Sequence, residues 1–341
     1  MASVSHTALQ SSASLLYSVP PSETVRTGLG PQPDFTQSNV QSLDHGVLSM
    51  NRLGRRRLLT AMTCAPLPWL LGAAAIPLPR IACLDWALAE TMLALGTHPI
   101  AVVGASDWAR FVVEPVLPPE IADLGLSQEI NFELLASLRP DLILISPFLE
   151  SLEPQLRRIA RTMRLSVYDD SGKPLAQREA VTLVLGERIG RRAAADEFLD
   201  QARSAFDAVQ LRLAPLRPRP MLITTFVDSR HVRVYGGASL YQNVLARIGL
   251  SNAWAGAMGY FGYATVGIEE LATAGDVQLI AFEPLPNDLR SKLQQSPLWT
   301  RLPFIRSGHV AILDPVSTFG GLPAALRFAR LLAQAIESQA G

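Results

Sequence analysis

No proline falls between Pro174 and Pro215, in a chain that carries 25 of them. Across that interval Val181, Leu185, Ile189 and Ala193, then Phe198, Ala202, Phe206, Val209 and Leu213, recur at three-to-five-residue spacing. Apolar residues so spaced share one face of a helix, and proline ends helices. The interval therefore predicts one long helix over 174–214, closed by Pro215, Pro218 and Pro220. On either side, short apolar runs alternate with stretches of helical period, the rhythm of α/β architecture. A single rod between two α/β regions predicts two lobes with a ligand cleft between them.

In the N-terminal lobe, over 80–172, strands are predicted at 80–83, 100–103, 141–145 and 165–168, with helices at 85–96, 131–138 and 153–163. In the C-terminal lobe, over 219–315, strands are predicted at 221–226, 232–235, 277–282 and 310–313, with helices at 239–248, 268–272 and 289–294. A final amphipathic helix over 321–339 puts Leu326, Ala329, Leu332, Ala333 and Ile336 on one face. Ligands of open α/β sheets bind at the carboxyl ends of strands, which directs attention to the loops facing the cleft.

Residues 50–75 read as a twin-arginine signal peptide. Arg55, Arg56 and Arg57 precede Leu58 and Leu59, an apolar middle runs to Gly72, and Ala73, Ala74 and Ala75 close it. Pro66 and Pro68 interrupt the run of about 20 apolar residues that a membrane span needs. The mature protein is expected to begin near Ile76 and to be periplasmic. Residues 1–49, rich in Ser, Gln and Thr, read as a disordered leader or a mis-assigned start, with Met50 just ahead of the basic run. Lipid attachment at Cys64 has weak support. Cys83 is the cysteine left after cleavage, so the mature chain is expected to have no internal disulfide.

Lys and Arg number 30 and Asp and Glu 30, and no basic patch follows the signal, which argues against nucleic acid and anionic membrane as partners. No G-x-S-x-G, Walker A, C-x-x-C or H-E-x-x-H pattern occurs. Gly236 and Gly237 read as a plain tight turn. His98, His231 and His309 are far apart in sequence, which disfavours a metal site built by the protein. No catalytic residue and no cofactor is assigned. The loops instead carry aromatics: Trp86, Trp108 with Phe111, Phe148, Trp254, Tyr260 with Phe261 and Tyr263, and Phe319. Such residues wall a pocket for a bulky ligand or plug the lobes, and for Trp86 and Trp254 the two readings stand level.

A wider pattern runs through the chain: Arg56-Arg57-Leu58-Leu59-Thr60-Ala61-Met62; Trp86 ahead of Leu93-Ala94-Leu95-Gly96; Glu114-Pro115 with Leu117-Pro118; Gly125-Leu126 with Asn131 and Glu133-Leu134-Leu135. It continues through Arg230-His231, Ser239-Leu240, Asn252-Ala253-Trp254, Pro297-Leu298-Trp299 and Pro303-Phe304. In order and spacing this resembles the periplasmic iron-hydroxamate (ferrichrome) siderophore-binding proteins of ABC importers over residues 80–334. The resemblance implies a helix-linked, class III periplasmic binding protein, monomeric and not an enzyme. It takes a ferric siderophore in a shallow cleft and delivers it to an inner-membrane permease. Iron enters only inside that ligand.

Carried over by position, the resemblance implies a cleft lined by Trp86, Phe111, Ser127, Leu149, Trp254, Phe261, Ser317 and Phe319, with Trp108 and Tyr263 added from the loop aromatics. Members that bind hydroxamates place an arginine where Ser127 stands and a tyrosine where Leu149 stands. A charge-assisted bond of that kind contributes about 1.5–3 kcal/mol, so ferrichrome itself is expected to bind more weakly here. Arg110 and Arg233 are candidates to replace the donor, against a solvated-surface reading for both. Permease docking is assigned to Glu153 on the first lobe and Glu269 or Glu270 on the second, residues that equally suit the starts of helices. Haem or a corrinoid as ligand, and an exported α/β enzyme, remain the alternatives.

Overall fold

The computed structural model describes residues 79–340. The leader 1–49 and the signal segment 50–75 lie outside the described residues. The first sheet holds β1 (Ile81–Cys83), β2 (Ala101–Val102), β3 (Ala122–Asp123), β4 (Leu142–Ile145) and β5 (Arg161–Arg164), in the order β3-β2-β1-β4-β5. All its pairings are parallel, with Ala82 opposite Ala101 on one side and Ile143 on the other. Buried on both faces, β1 and β4 are continuous apolar runs, as central parallel strands must be. Helices α1 (Trp86–Ala94), α2 (Ala105–Phe111), α3 (Phe132–Ser137) and α4 (Glu153–Leu156) connect the strands.

The second sheet holds β6 (Met221–Phe226), β7 (His231–Tyr235), β8 (Tyr263–Gly267), β9 (Gln278–Phe282) and β10 (Val310–Leu313), in the order β10-β9-β6-β7-β8. Here β9 pairs parallel with β6 and β10, whereas β6, β7 and β8 form an antiparallel meander.

The connector between the sheets departs from the expected single rod. It is two helices, α5 (Pro174–Arg188) and α6 (Arg192–Leu213). Gly190 adopts a left-handed φ of 71°. The N–H of Gly190 donates to the Glu187 carbonyl and that of Arg191 to the Gly186 carbonyl, which together form a Schellman stop. Helix α6 buries Leu199, Ala202, Phe206, Val209 and Leu213, the face that its sequence period marks. The second lobe adds α7 (Leu240–Arg247), α8 (Leu289–Gln295), α9 (Pro297–Thr300) and α10 (Pro303–Arg306), and α11 (Leu322–Ala340) closes the chain.

Helix α11 packs on α1 and α5 as well as on α6 and α7, so the end of the chain ties the first lobe to the second. Arg327, 5% exposed, and the more open Arg330 both pair with Glu114 of the first lobe. Among the described residues no helix is long and apolar enough to cross a membrane.

Three local expectations fail for identifiable reasons. The helix expected over 153–163 ends at Leu156, and the strand expected at 165–168 lies earlier, at Arg161–Arg164. As an edge strand β5 keeps polar and exposed positions, which hides its period. The stretch holding Trp108 and Phe111, expected as loop, is helix α2. Its cap is the Asp123 carboxylate, which accepts from the Ala105 and Ser106 N–H groups across 18 and 17 residues of sequence, a non-local signal. Strand β8, whose first residue Tyr263 is expected among the loop aromatics, pairs along its whole length with β7.

Candidate ligand-binding site

The connections leaving β1 toward β2 and β3 run one way across the first sheet, and those from β4 to β5 run the other. The crevice at the carboxyl ends of β1 and β4 is therefore a topological switch point, where α/β sheets bind ligands. A pocket of about 300 Å³ opens there. Its first-lobe wall is made of residues that follow strands: Asp85 after β1; Ser146, Pro147 and Phe148 after β4; Ser166, Val167 and Tyr168 after β5. The second lobe supplies Tyr260 and Phe261 ahead of β8, and Phe319 between β10 and α11.

The wall is aromatic. The Phe261 ring centroid lies 5.5 Å from Phe148, 5.4 Å from Tyr168 and 5.5 Å from Phe319, and Tyr168 meets Phe319 at 5.8 Å. Gly262 fixes the loop that presents Phe261. Its φ is +70°, and a Cβ there would sit 1.9 Å from the Ser239 amide nitrogen, so only glycine fits.

Beneath the aromatics lies a polar interior. Asp85, 6% exposed, caps α1 by accepting the Leu88 N–H at 3.1 Å, and burial pushes its carboxyl up. Glu90 is fully buried on the same helix and accepts the Gly321 N–H at 2.9 Å; desolvation pushes it up to about 8. Arg178 of α5, 1% exposed, donates from Nε to the Gly320 carbonyl at 2.6 Å and from Nη1 to the Val167 and Pro174 carbonyls. Its Cζ lies 4.8 Å from the centre of the Tyr168 ring. Glu90 and Arg178 thus hold the segment that carries Phe319, and Arg178 backs Tyr168. Burial also raises the Cys83 thiol, which donates to the Asp85 carbonyl at 3.1 Å.

Residues 81–316 match the model of the periplasmic binding protein family. The chain belongs to this family. It is 34% identical over 291 residues to the iron(3+)-hydroxamate-binding protein FhuD of Escherichia coli K12, a match covering 84% of this chain and 98% of that protein. It is similar in structure to the siderophore-binding protein FhuD of Vibrio cholerae in its Fe3+-Desferal-bound form, with a TM-score of 0.72 and 25% identity over 76% of this chain and 98% of that one. The petrobactin-binding protein YclQ of Bacillus subtilis shares the fold, with a TM-score of 0.62 and 18% identity over 76% and 92% of the two chains.

In this periplasmic binding protein the expected site residues divide. Phe261 and Phe319 line the pocket, and Tyr263 packs behind Phe319 at 6.4 Å. Trp108 does not line it. At 1% exposure it plugs the first lobe, with Nε1 donating to the Pro115 carbonyl at 2.8 Å. Leu149 also turns into that core, and it is the preceding Phe148 that faces the pocket. Trp86 is buried at the start of α1, its Nε1 donating to the Val103 carbonyl at 2.7 Å, with Phe111 stacked on it at 6.5 Å. Trp254 packs against the second lobe's core. Ser127 and Ser317 are half-buried and do not line the pocket.

Tyr168, Asp85, Ser146 and Ser166 line the pocket without any motif that marks them in the sequence. Each stands just past a strand of the first sheet, so the usable signal was position at a strand's carboxyl end. Correct placement of β5 would have exposed Tyr168.

Proposed function

We propose that this protein captures a ferric siderophore of hydroxamate type in the aromatic pocket between its lobes and delivers it to an inner-membrane ABC permease for iron uptake. The observation that carries the proposal is the convergence of Phe148 and Tyr168 from one lobe with Phe261 and Phe319 from the other at the switch-point crevice. The relatives named for iron-hydroxamate and siderophore binding support the same reading. An apolar, aromatic surface suits a chelate whose iron is already wrapped in oxygens, because the protein then supplies contact area and a few hydrogen bonds. Among the described residues no group of three or more His, Cys, Asp and Glu is placed to hold a metal ion.

The proposed cycle takes place in the periplasm as a monomer, after export by the twin-arginine route, with binding and no catalysis. In the docking reading, acidic residues on the lobes meet basic permease residues. Glu269 is exposed and available for this. Glu153 is already bonded to Arg157 at 2.8 Å and to Thr162 at 2.8 Å, so it would have to exchange partners.

Tryptophan fluorescence tests the proposal. Fe(III)-Desferal is expected to quench emission with a Kd of about 1 µM or tighter, some −8 kcal/mol, and the iron-free chelator is not. If a panel of ferric hydroxamates leaves the emission unchanged up to about 100 µM, a Kd above that value, the proposal fails.

A further inference from the structure

Arg233 stands on β7 directly opposite Thr225 of β6 and Thr265 of β8. Its side chain shares one face of the second sheet with theirs and with Tyr235, two places along the strand. Its Cζ lies 5.4 Å from the centre of the Tyr263 ring, and Tyr263 packs in turn on Phe319 of the pocket wall at 6.4 Å. The Arg233 Nε is buried yet meets no hydrogen-bond acceptor, and among the described residues the guanidinium forms no ion pair. A buried donor left unpaired is costly, and a guanidinium held by an aromatic face alone has its planar fork of N–H groups uncommitted. Arg110 differs. It is exposed on α2, over Phe111 at 5.0 Å, and Phe111 stacks on Trp86, which does not line the pocket.

The geometry points to Arg233 as a specificity-determining residue of the proposed siderophore site, donating from the second lobe to the chelating oxygens of a ferric hydroxamate seated against Phe319. Those oxygens carry the negative charge that iron does not fully neutralise, and the guanidinium offers charge-assisted donors to them. The aromatic face of Tyr263 holds the cation in place without competing for its N–H groups. This inference rests on the reading of the pocket as a siderophore site.

The test uses the exported protein and its Arg233→Gln and Arg233→Lys variants, titrated with Fe(III)-Desferal by tryptophan fluorescence. In parallel, arginine Nε–H resonances of 15N-labelled wild type are followed during titration with the diamagnetic Ga(III) complex of the same chelator. The Gln variant is expected to bind about 10- to 100-fold more weakly, the Lys variant to recover part of the loss, and the Arg233 resonance to shift with the gallium complex but not with the metal-free chelator. Quenching in wild type combined with Arg233→Gln within twofold of it overturns the inference and leaves the siderophore reading intact. So does an Arg233 resonance unmoved at saturation, a readout on wild type that holds whether or not the variants fold. No quenching in wild type overturns both.

Discussion

Phe148 and Phe261 stack across the boundary between the lobes, their ring centroids 5.5 Å apart and their planes 29° from parallel. One follows β4 and the other precedes β8, so the contact exists only because α5, α6 and α11 hold the two sheets in place. Phe148 is 44% exposed, whereas Phe261 also meets Tyr168, Tyr260 and Phe319. An aromatic pair contributes about 0.5–1.5 kcal/mol beyond its buried area. Phe148→Ala is therefore expected to lower stability by about 1 kcal/mol and to weaken Fe(III)-Desferal binding a few-fold. Phe261→Ala, which removes four ring contacts, is expected to weaken binding by more. Equal, unchanged affinities for the two variants would contradict this ordering.

Trp108 supplies the opposite case. It is buried in the first lobe's core and spends its indole N–H on the Pro115 carbonyl. Trp108→Phe removes core volume and a buried hydrogen bond, at a cost of about 1–3 kcal/mol. Denaturant unfolding should register that loss, while the siderophore Kd stays within twofold of wild type.

These residues also mark what sequence reading reaches. The α/β rhythm, the two lobes and the helical connector are legible because apolar period and proline placement are local signals, as in β6, whose bounds match. Gly190 divides the connector through a two-bond turn that the apolar period overrides. Trp108 and Phe261 are both aromatic and both near breaks in pattern; only packing tells that one plugs a core and the other faces a pocket. Arg110 and Arg233 are equivalent in sequence and separate only once the β6-β7-β8 register sets Arg233 beside Tyr263. Tyr168 falls inside the strand expected at 165–168, because the polar edge strand β5 that lies four residues earlier shows no apolar period.

The three acidic docking candidates differ in how free they are. Hydrogen bonds from Thr162 and Arg157 hold the Glu153 carboxyl below its usual range. Glu270 caps its own turn through the Gly267 N–H at 3.3 Å, and Glu269 beside it is exposed. Glu269→Lys sets a like charge against a basic permease surface, a juxtaposition that costs several kcal/mol. Radioiron uptake by cells carrying the permease is expected to fall at least about tenfold with Fe(III)-Desferal affinity unchanged. Glu153→Gln is expected to reduce uptake less. A Glu269→Lys strain with normal uptake would remove this residue from the interface.

Glu90 gives the fold a pH dependence whose sign follows from its burial. Its carboxyl ordinarily titrates at 4.5, and desolvation pushes it up to about 8 in the folded protein, with Arg178 opposing and Asp85 reinforcing the shift. Below pH 4.5 both states are protonated and the stabilisation is fully present. As pH rises from there toward 8, the unfolded chain releases its proton and the folded chain keeps it, so stability declines across that window by a few kcal/mol and then levels. Glu90→Gln retains an oxygen for the Gly321 N–H and has no proton to lose. Calorimetry at pH 5, 6.5 and 8 should find similar melting temperatures at the lowest pH and a growing advantage for the Gln variant as pH rises. Other titrating groups are shared by both proteins, so the difference isolates Glu90. Parallel melting profiles would mean that the buried carboxyl does not titrate in this window.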